Sequence, residues 1–371
     1  MSRQGDHYST PPEDHEGDNR MKCLNWTSRH LAPVLGAITA AAGLLSSPLP
    51  AAAQTVKPIP VNIGLPLTNY WPAYLARDLK LFEAVGLEPK FYTFQSGAPL
   101  IAGMKNGSLD VAWTGLATLF MLGQDIPLKF VLVPLDSSSQ MAMVVNPASG
   151  INSWRDVGKA KNIGGPTATC FETSMVLALK AAGVPHSAVA VSNLAPNLLQ
   201  TALKNNQIDA TFIWGPWHLM LRDAGMKIVS YDKDFQNAGG VCATTVAIRP
   251  AFLEANPTVG CRLVKAHALS LAAGRKDPGA AIRTLQEALN IPPPVAKEIY
   301  DTLVIPSIES QLDPKSDYSL TNKDGGLAQK LYVAGEALYE AKAFAKPLTK
   351  QQVTDSIDSS HVKRFLESDC R

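Results

Sequence analysis

The chain has 371 residues, 46% hydrophobic and 18% charged, with a formal net charge of +2. That length can bury a large core, and the composition is that of an ordinary globular protein of about one to three domains. No stripe of Lys and Arg with interleaved aromatic residues runs through it, so nucleic acid is not an expected partner.

In chain order, the first feature is an apolar run at 31–45 (LAPVLGAITAAAGLL) that follows Arg20, Lys22, Arg29 and His30 and leads to Ala51-Ala52-Ala53-Gln54. It is short for a membrane span and reads as the core of a secretory signal peptide cleaved after Ala53. Residues 1–20 carry Asp6, Glu13, Asp14, Glu16 and Asp18, whereas Met21 opens a compact basic stretch, so translation is expected to start at Met21. Residues 1–53 are thus the expected signal segment, and the remainder is expected in the periplasm. Cys23 leaves with that segment. Cys170, Cys242, Cys261 and Cys370 could form two disulfides in any of three pairings, with Cys242–Cys261 the first to test; free buried thiols are the alternative.

From residue 61, short apolar strands alternate with amphipathic helices: strands at 61–65, 88–94 and 110–113, helices at 73–85 and 99–106. This βαβαβ order predicts a mostly parallel sheet with right-handed crossovers. Strands at 129–135 and 141–146 flank the polar run Asp136-Ser137-Ser138-Ser139, where the chain is expected to cross into a second unit. There, strands at 162–164, 190–193, 209–213 and 227–230 alternate with helices at 172–182, 197–205 and 216–224. Gly239-Gly240 precedes a strand at 243–248 that reads as the return crossing. Helices follow at 257–273, 279–289, 294–303, 327–344, 350–356 and 361–366, expected to pack on the first unit and behind the hinge. The expected architecture is two α/β lobes, 61–136 with 243–371 and 137–242, closing about Asp136 and Gly240.

Two stretches echo each other, Met104 to Gly115 and Leu203 to Gly215. In each, a helix ends in a Lys-Asn turn, an Asp precedes a buried strand, and the strand brings an aromatic residue to a Gly. Asp209 thus repeats Asp110 as a turn or cap device.

Open α/β sheets bind ligands beyond the carboxyl ends of their strands. The loops there hold Asn69, Tyr70 and Trp71; Ser96 and Gly97; Trp113 and Thr114; Thr169, Cys170 and Glu172; Asn193; and Trp214 and Trp217. These are the candidate ligand-binding residues. The tryptophans would offer faces to a small cation or an alkyl body. Ser96, Thr114 and Thr169 stand beside helix starts, where backbone N–H groups favour an anion, although each could simply cap its helix. Glu172 could pair with an ammonium group or serve only the helix dipole. The four histidines after residue 54 (His186, His218, His267, His361) form no H-E-x-x-H, no G-x-S-x-G occurs, and no Gly-rich phosphate loop is present. No catalytic residue, metal or cofactor is expected.

From about residue 61 to 264 the order of motifs resembles the periplasmic solute-binding proteins of ABC importers for taurine, alkanesulfonates and nitrate. The residues that carry the likeness are Ala73-Tyr74-Leu75-Ala76-Arg77-Asp78, Leu81-Phe82 with Gly86-Leu87, Ser96-Gly97, Asn106-Gly107-Ser108-Leu109-Asp110, Ile208-Asp209-Ala210 and Trp214-Gly215-Pro216. The Phe212-Ile213-Trp214-x-Pro216 run is most like the taurine branch. The resemblance implies a type II periplasmic-binding-protein fold, a monomer that closes on one small-molecule solute and presents it to an inner-membrane permease. It also implies an anion held at helix starts by Ser96, Thr114 and Thr169. Gly115-Leu116-Ala117 and Cys170-Phe171-Glu172 stand where sulfonate binders show small hydroxyl residues, which points to a more apolar and acidic pocket and a larger zwitterionic, aromatic or amine-bearing solute. A thiamine-precursor branch of the same family makes a pyrimidine binder the alternative, and a ligand-sensing partner of a membrane receptor a third.

Overall fold

The computed structural model describes residues 57–238 and 242–371. The expected signal segment, its start at Met21 and the hinge position at Gly240 lie outside the described residues.

The first half builds β1 (Ile59–Pro66), α1 (Trp71–Asp78), α2 (Leu81–Ala84), β2 (Leu87–Phe94), α3 (Ala98–Asn106), β3 (Val111–Thr114), α4 (Ala117–Gly123) and β4 (Lys129–Leu132). The second set is β5 (Ala142–Val145), β6 (Asn162–Gly165), α5 (Cys170–Ala181), β7 (Ala190–Asn193), α6 (Leu199–Lys204), β8 (Ala210–Ile213), α7 (Trp217–Asp223) and β9 (Lys227–Tyr231). After β10 (Thr245–Ile248) the chain is helical: α8 (Pro250–Ala255), α9 (Val259–Lys276), α10 (Pro278–Leu289), α11 (Pro293–Thr302), α12 (Gly326–Glu340), α13 (Lys350–Asp355) and α14 (Ser360–Ser368). The single helix expected at 73–85 is two, because Lys80 adopts a left-handed φ of 53° between α1 and α2.

Two five-stranded sheets result, ordered β2-β1-β3-β10-β4 and β7-β6-β8-β5-β9. In each, four strands run in one direction and one strand inserts antiparallel: β10 between β3 and β4, and β5 between β8 and β9. The intruding strands are those that enter directly after a crossing between lobes, so each sheet contains one strand whose direction the crossing sets. The sheets are therefore mostly parallel, as expected, with one reversed strand each.

The repeated Asp has a structural task in both lobes. Asp110 Oδ2 accepts the Asn62 backbone and side-chain N–H groups, each at 2.9 Å. Asp209 Oδ2 accepts the backbone N–H groups of Lys161 at 2.7 Å and Asn162 at 3.0 Å. Each carboxylate thus ties the turn before one strand to its parallel neighbour, within β1 for Asp110 and at the start of β6 for Asp209.

Between the lobes the two crossing segments run side by side: Ser137 N–H donates to Cys242 O at 3.1 Å and Thr244 N–H to Leu135 O at 3.3 Å. A third segment joins them, with Asp136 N–H donating to Val304 O at 2.9 Å and the Tyr318 hydroxyl to Asp136 Oδ2 at 2.9 Å. The C-terminal region therefore buttresses the crossing. Its helices do not serve the first lobe alone, since α12 packs against α5 as well as α4, and Lys180 of α5 pairs with Glu340 of α12.

Candidate functional site

A narrow cleft lies where the carboxyl ends of the two sheets face one another, and only about 20 Å³ of it admits the centre of a water-sized sphere. It is lined from the first sheet by Pro66, Thr68, Asn69, Tyr70, Gly97, Thr114, Gly115, Leu116 and Ala117, and from the second by Thr169, Cys170 and Trp214. Ser137 and Cys242 of the crossing segments complete it.

Polar contacts draw the two sides together. Thr68 Oγ1, after β1, donates to Gly215 O, after β8, at 2.7 Å. Asn69 Nδ2 donates to Gln140 Oε1 at 2.7 Å, and Gln140 Nε2 donates to Ile299 O at 2.7 Å and Thr302 Oγ1 at 2.9 Å at the end of α11. Asn69 and Gln140 are fully buried, so this chain of amides links the cleft loop, the crossing and the C-terminal helices without solvent. Beside it, burial pushes the Tyr70 phenol up to about 12, keeping it neutral. Burial also lowers His218, in the first turn of α7 and edge-on to Tyr231, to about 4, so its imidazole is uncharged at neutral pH.

Of the candidate ligand residues, Asn69, Tyr70, Gly97, Thr114, Thr169, Cys170 and Trp214 line the cleft. The others do not, and each has a physical reason. Trp113 is only 1% exposed and packs edge-on against Phe82, with His267 at 5.7 Å, inside the first lobe. Trp71 turns toward the helices, stacking obliquely on Tyr300 at 5.3 Å and filling the space over Gly274. Trp217 opens α7 and lies half-buried against the core. Asn193 is exposed, and its Oδ1 accepts the Thr167 N–H at 3.2 Å. Ser96 is buried next to Gly97 without reaching the lining. Glu172 bends back to accept the Ala168 N–H at 2.8 Å, at a residue with a left-handed φ of 57°, so it holds the turn before α5 instead of facing the cleft. Of the four tryptophans offered to a ligand, Trp214 alone lines the cleft, and Glu172 takes its structural alternative and brings no carboxylate there.

Thr169 caps α5: its Oγ1 accepts the Phe171 N–H at 3.2 Å while donating to Pro166 O at 2.5 Å. The single hydroxyl proton is used there, so Thr169 Oγ1 has only a lone pair left to offer the cleft. Trp214 is 7% exposed and its Nε1–H finds no acceptor among the described residues. A buried donor without a partner costs about 1–3 kcal/mol, which a ligand acceptor would recover. No charged side chain lines the cleft among the described residues. Neutral donors and apolar contacts thus set its chemistry.

The strand-end loops also bring Thr68 to the lining together with Gly115, Leu116 and Ala117, the run that the resemblance placed at the pocket, whereas sequence reasoning missed Pro66 at the end of β1. Ser137 and Cys242 carried no such signal, because they belong to the crossing segments. The disulfides also differ from the Cys242–Cys261 expectation. Cys170 bonds Cys242 with Cα atoms 5.8 Å apart, and Cys261 bonds Cys370 at 5.7 Å, where α14 packs on α9. Among the described residues, no group of three or more His, Cys, Asp or Glu is gathered as a metal site.

The sequence profile of the NMT1-like family matches residues 54–281. A Brucella abortus protein named as a binding protein is 29% identical over 182 residues, covering 48% of this chain. The chain spans about half of that relative, 55% of its length. An Escherichia coli K12 protein named as an aliphatic sulfonates-binding protein is 23% identical over 266 residues, 71% of this chain and 82% of that one. Among solved structures, the alkanesulfonate-binding protein of Xanthomonas axonopodis pv. citri, bound to MOPS, superposes with a TM-score of 0.67 at 16% identity, over 82% of this chain and 99% of that one. The periplasmic nitrate-binding protein of Synechocystis PCC 6803 gives 0.64 at 11% identity, over 84% and 91%.

Proposed function

We propose, from the premise that this chain belongs to the NMT1-like family, that it is the solute-binding component of an ABC-type importer rather than an enzyme. In this reading the cleft between the lobes holds a small organosulfonate, such as taurine or a related zwitterion, and hands it to an inner-membrane permease. The observation that carries the proposal is the lining itself: strand-end loops of two sheets, joined by direct hydrogen bonds, surround a narrow space that no charged side chain lines and that holds the unpartnered Trp214 indole. The closed cleft has room for little more than one water molecule, so in this reading a solute enters only when the lobes part. An anionic head can be held there by backbone N–H groups and the Trp214 indole without a buried counter-charge.

Two disulfides and a leader-like apolar run support export to an oxidising compartment, here the periplasm. The single lining indole favours a compact aliphatic solute over a stacked pyrimidine, since Trp71, Trp113 and Trp217 lie elsewhere. The lobe boundary is proposed to fall at the crossings, 61–136 with 243–371 forming one lobe and 137–242 the other.

The test is a thermal-melting screen of the chain from Gln54 against taurine, alkanesulfonates, MOPS, nitrate, betaines, amino acids and pyrimidines. A solute at a hundredfold excess over its Kd adds about 2.7 kcal/mol of stability. Stabilisation by taurine or another aliphatic sulfonate is expected. Stabilisation by pyrimidines alone would overturn the sulfonate assignment, and no stabilisation by any member would remove the solute class as stated.

A further inference from the structure

We propose that the Cys170–Cys242 disulfide is a redox-set part of the solute site: intact, it seats the first turn of α5 against Gly115-Leu116 of the opposite lobe, and its reduction releases that turn and weakens solute retention. The proposal rests on reading the cleft as the solute site.

Three observations carry it. Both cysteines line the cleft, and they are 4% and 2% exposed. Cys170 is the first residue of α5, in the second sheet's layer, while the Cys242 carbonyl accepts the Ser137 N–H in the paired crossing segments. The bond therefore fastens the second lobe's cleft-facing helix to the crossing that joins the lobes. Cys170 Sγ also touches the first lobe: it accepts the Leu116 N–H at 3.4 Å, and a Cβ at Gly115 would lie 2.7 Å from it. One sulfur thus meets the hinge, the second lobe and the first lobe together. Gly115 has no side chain at the point where a side chain would hold the lobes apart.

The chemistry is ordinary thiol–disulfide exchange with a dithiol reductant. A reductant thiolate attacks Cys242 Sγ, forming a mixed disulfide, and Cys170 leaves as a thiolate favoured by the N-terminus of α5. The second reductant thiolate then displaces Cys242. Two electrons and two protons pass to the protein, and the reductant becomes a disulfide. Because both sulfurs are buried, attack needs an open cleft, so a bound solute shields the bond. By linkage, a tenfold loss of affinity on reduction means a tenfold shift of the thiol–disulfide equilibrium by solute, about 30 mV. The Cys261–Cys370 bond, between α9 and the C-terminus, lies away from the cleft and serves as an internal control.

The experiment uses the full chain, purified oxidised, against its Cys170→Ser/Cys242→Ser variant and against wild type reduced with dithiothreitol. Amide hydrogen exchange is followed in the peptide carrying the Leu116 N–H, with the peptide over β8 as the fold control. The proposal expects exchange at Leu116 about tenfold faster in both the variant and the reduced chain, with β8 unchanged. Unchanged protection at Leu116 with both thiols alkylated would overturn it, whether or not a solute is known. Loss of β8 protection in the variant leaves the reduced wild type to decide. In a second arm, taurine and MOPS are titrated by calorimetry. An affinity at least tenfold weaker in Cys170→Ser/Cys242→Ser, with Cys261→Ser/Cys370→Ser at wild-type affinity, supports the proposal. Equal affinities in the three proteins would overturn the solute-retention part, whereas failure of both probes on wild type would count against the proposed sulfonate class and leave the exchange result as the decision.

Discussion

His267 offers a prediction whose size follows from its surroundings. Its ring lies in α9, fully buried beside Trp113, and neither ring nitrogen finds a partner among the described residues. Burial, with a smaller contribution from the nearby positive Arg275, lowers its pKa from 6.5 to about 3. The folded chain therefore keeps this imidazole neutral at a pH where the unfolded chain protonates it. Stability from this group is fully present above about pH 6.5 and is lost as pH falls toward 3. At about pH 5 the unfolded state holds nearly one more proton at this site, and integrating that difference from pH 8 gives a loss of about 2 kcal/mol. For a folded body of this size that is about 3 °C in Tm. The substitution His267→Phe keeps a flat ring and removes the titration. Thermal melts of wild type and variant at pH 8, 6.5 and 5 isolate the term, because the other titrating groups are common to both proteins. The difference in Tm between pH 8 and 5 should be about 3 °C smaller in the variant. Equal differences in the two proteins would show that the His267 ring is hydrated or paired in solution, and the reasoning would fail.

Other perturbations probe the cleft and the second lobe. Gly115→Ala sets a Cβ 2.7 Å from Cys170 Sγ, so the closed state should lose about 1–3 kcal/mol and the solute found by the melting screen should bind about tenfold or more weakly by calorimetry. Wild-type affinity would mean that the lobes need not approach this closely on the solute. Trp214→Phe, which removes only the unpartnered Nε1–H and some ring area, should cost about tenfold in affinity with little change in Tm. Trp113→Phe should do the reverse, lowering Tm while leaving affinity intact. Asp232 is fully buried, accepts the Ser174 hydroxyl at 2.6 Å, and burial raises its pKa well above 3.8. Its stability contribution is complete below 3.8 and is lost as pH rises through the folded value, so Asp232→Asn should raise Tm at pH 8 by more than at pH 5. A uniform shift at both pH values would contradict a protonated buried carboxyl.

Much of this molecule is written locally. Strand and helix alternate with periods that short windows carry, and the Asn-Gly and Lys-Asn turns before Asp110 and Asp209 mark the same strand start twice. The loops that line the cleft were legible for the same reason, since a residue just beyond a strand's carboxyl end is placed by the strand itself. The direction of a side chain is another matter. Trp113 is the third residue of β3 and faces inward to Phe82, just as its counterpart Phe212 in β8 is buried, whereas Trp214 lies one residue past β8 and lines the cleft. Period-2 alternation fixes the face of a residue inside a strand but not of one just past its end, where tertiary packing decides. Glu172 reads as a free carboxylate at a helix start until the left-handed turn at Ala168 presents an N–H to it. The disulfides join residues 72 and 109 positions apart, and only the packing of α5 on the crossing and of α14 on α9 brings their Cα atoms within 6 Å. The sequence by itself determined the two repeated α/β units and the loops that face each other. Which side chains enter the cleft, and which cysteines meet, was decided by tertiary structure, because those are through-space distances between segments that no local period relates.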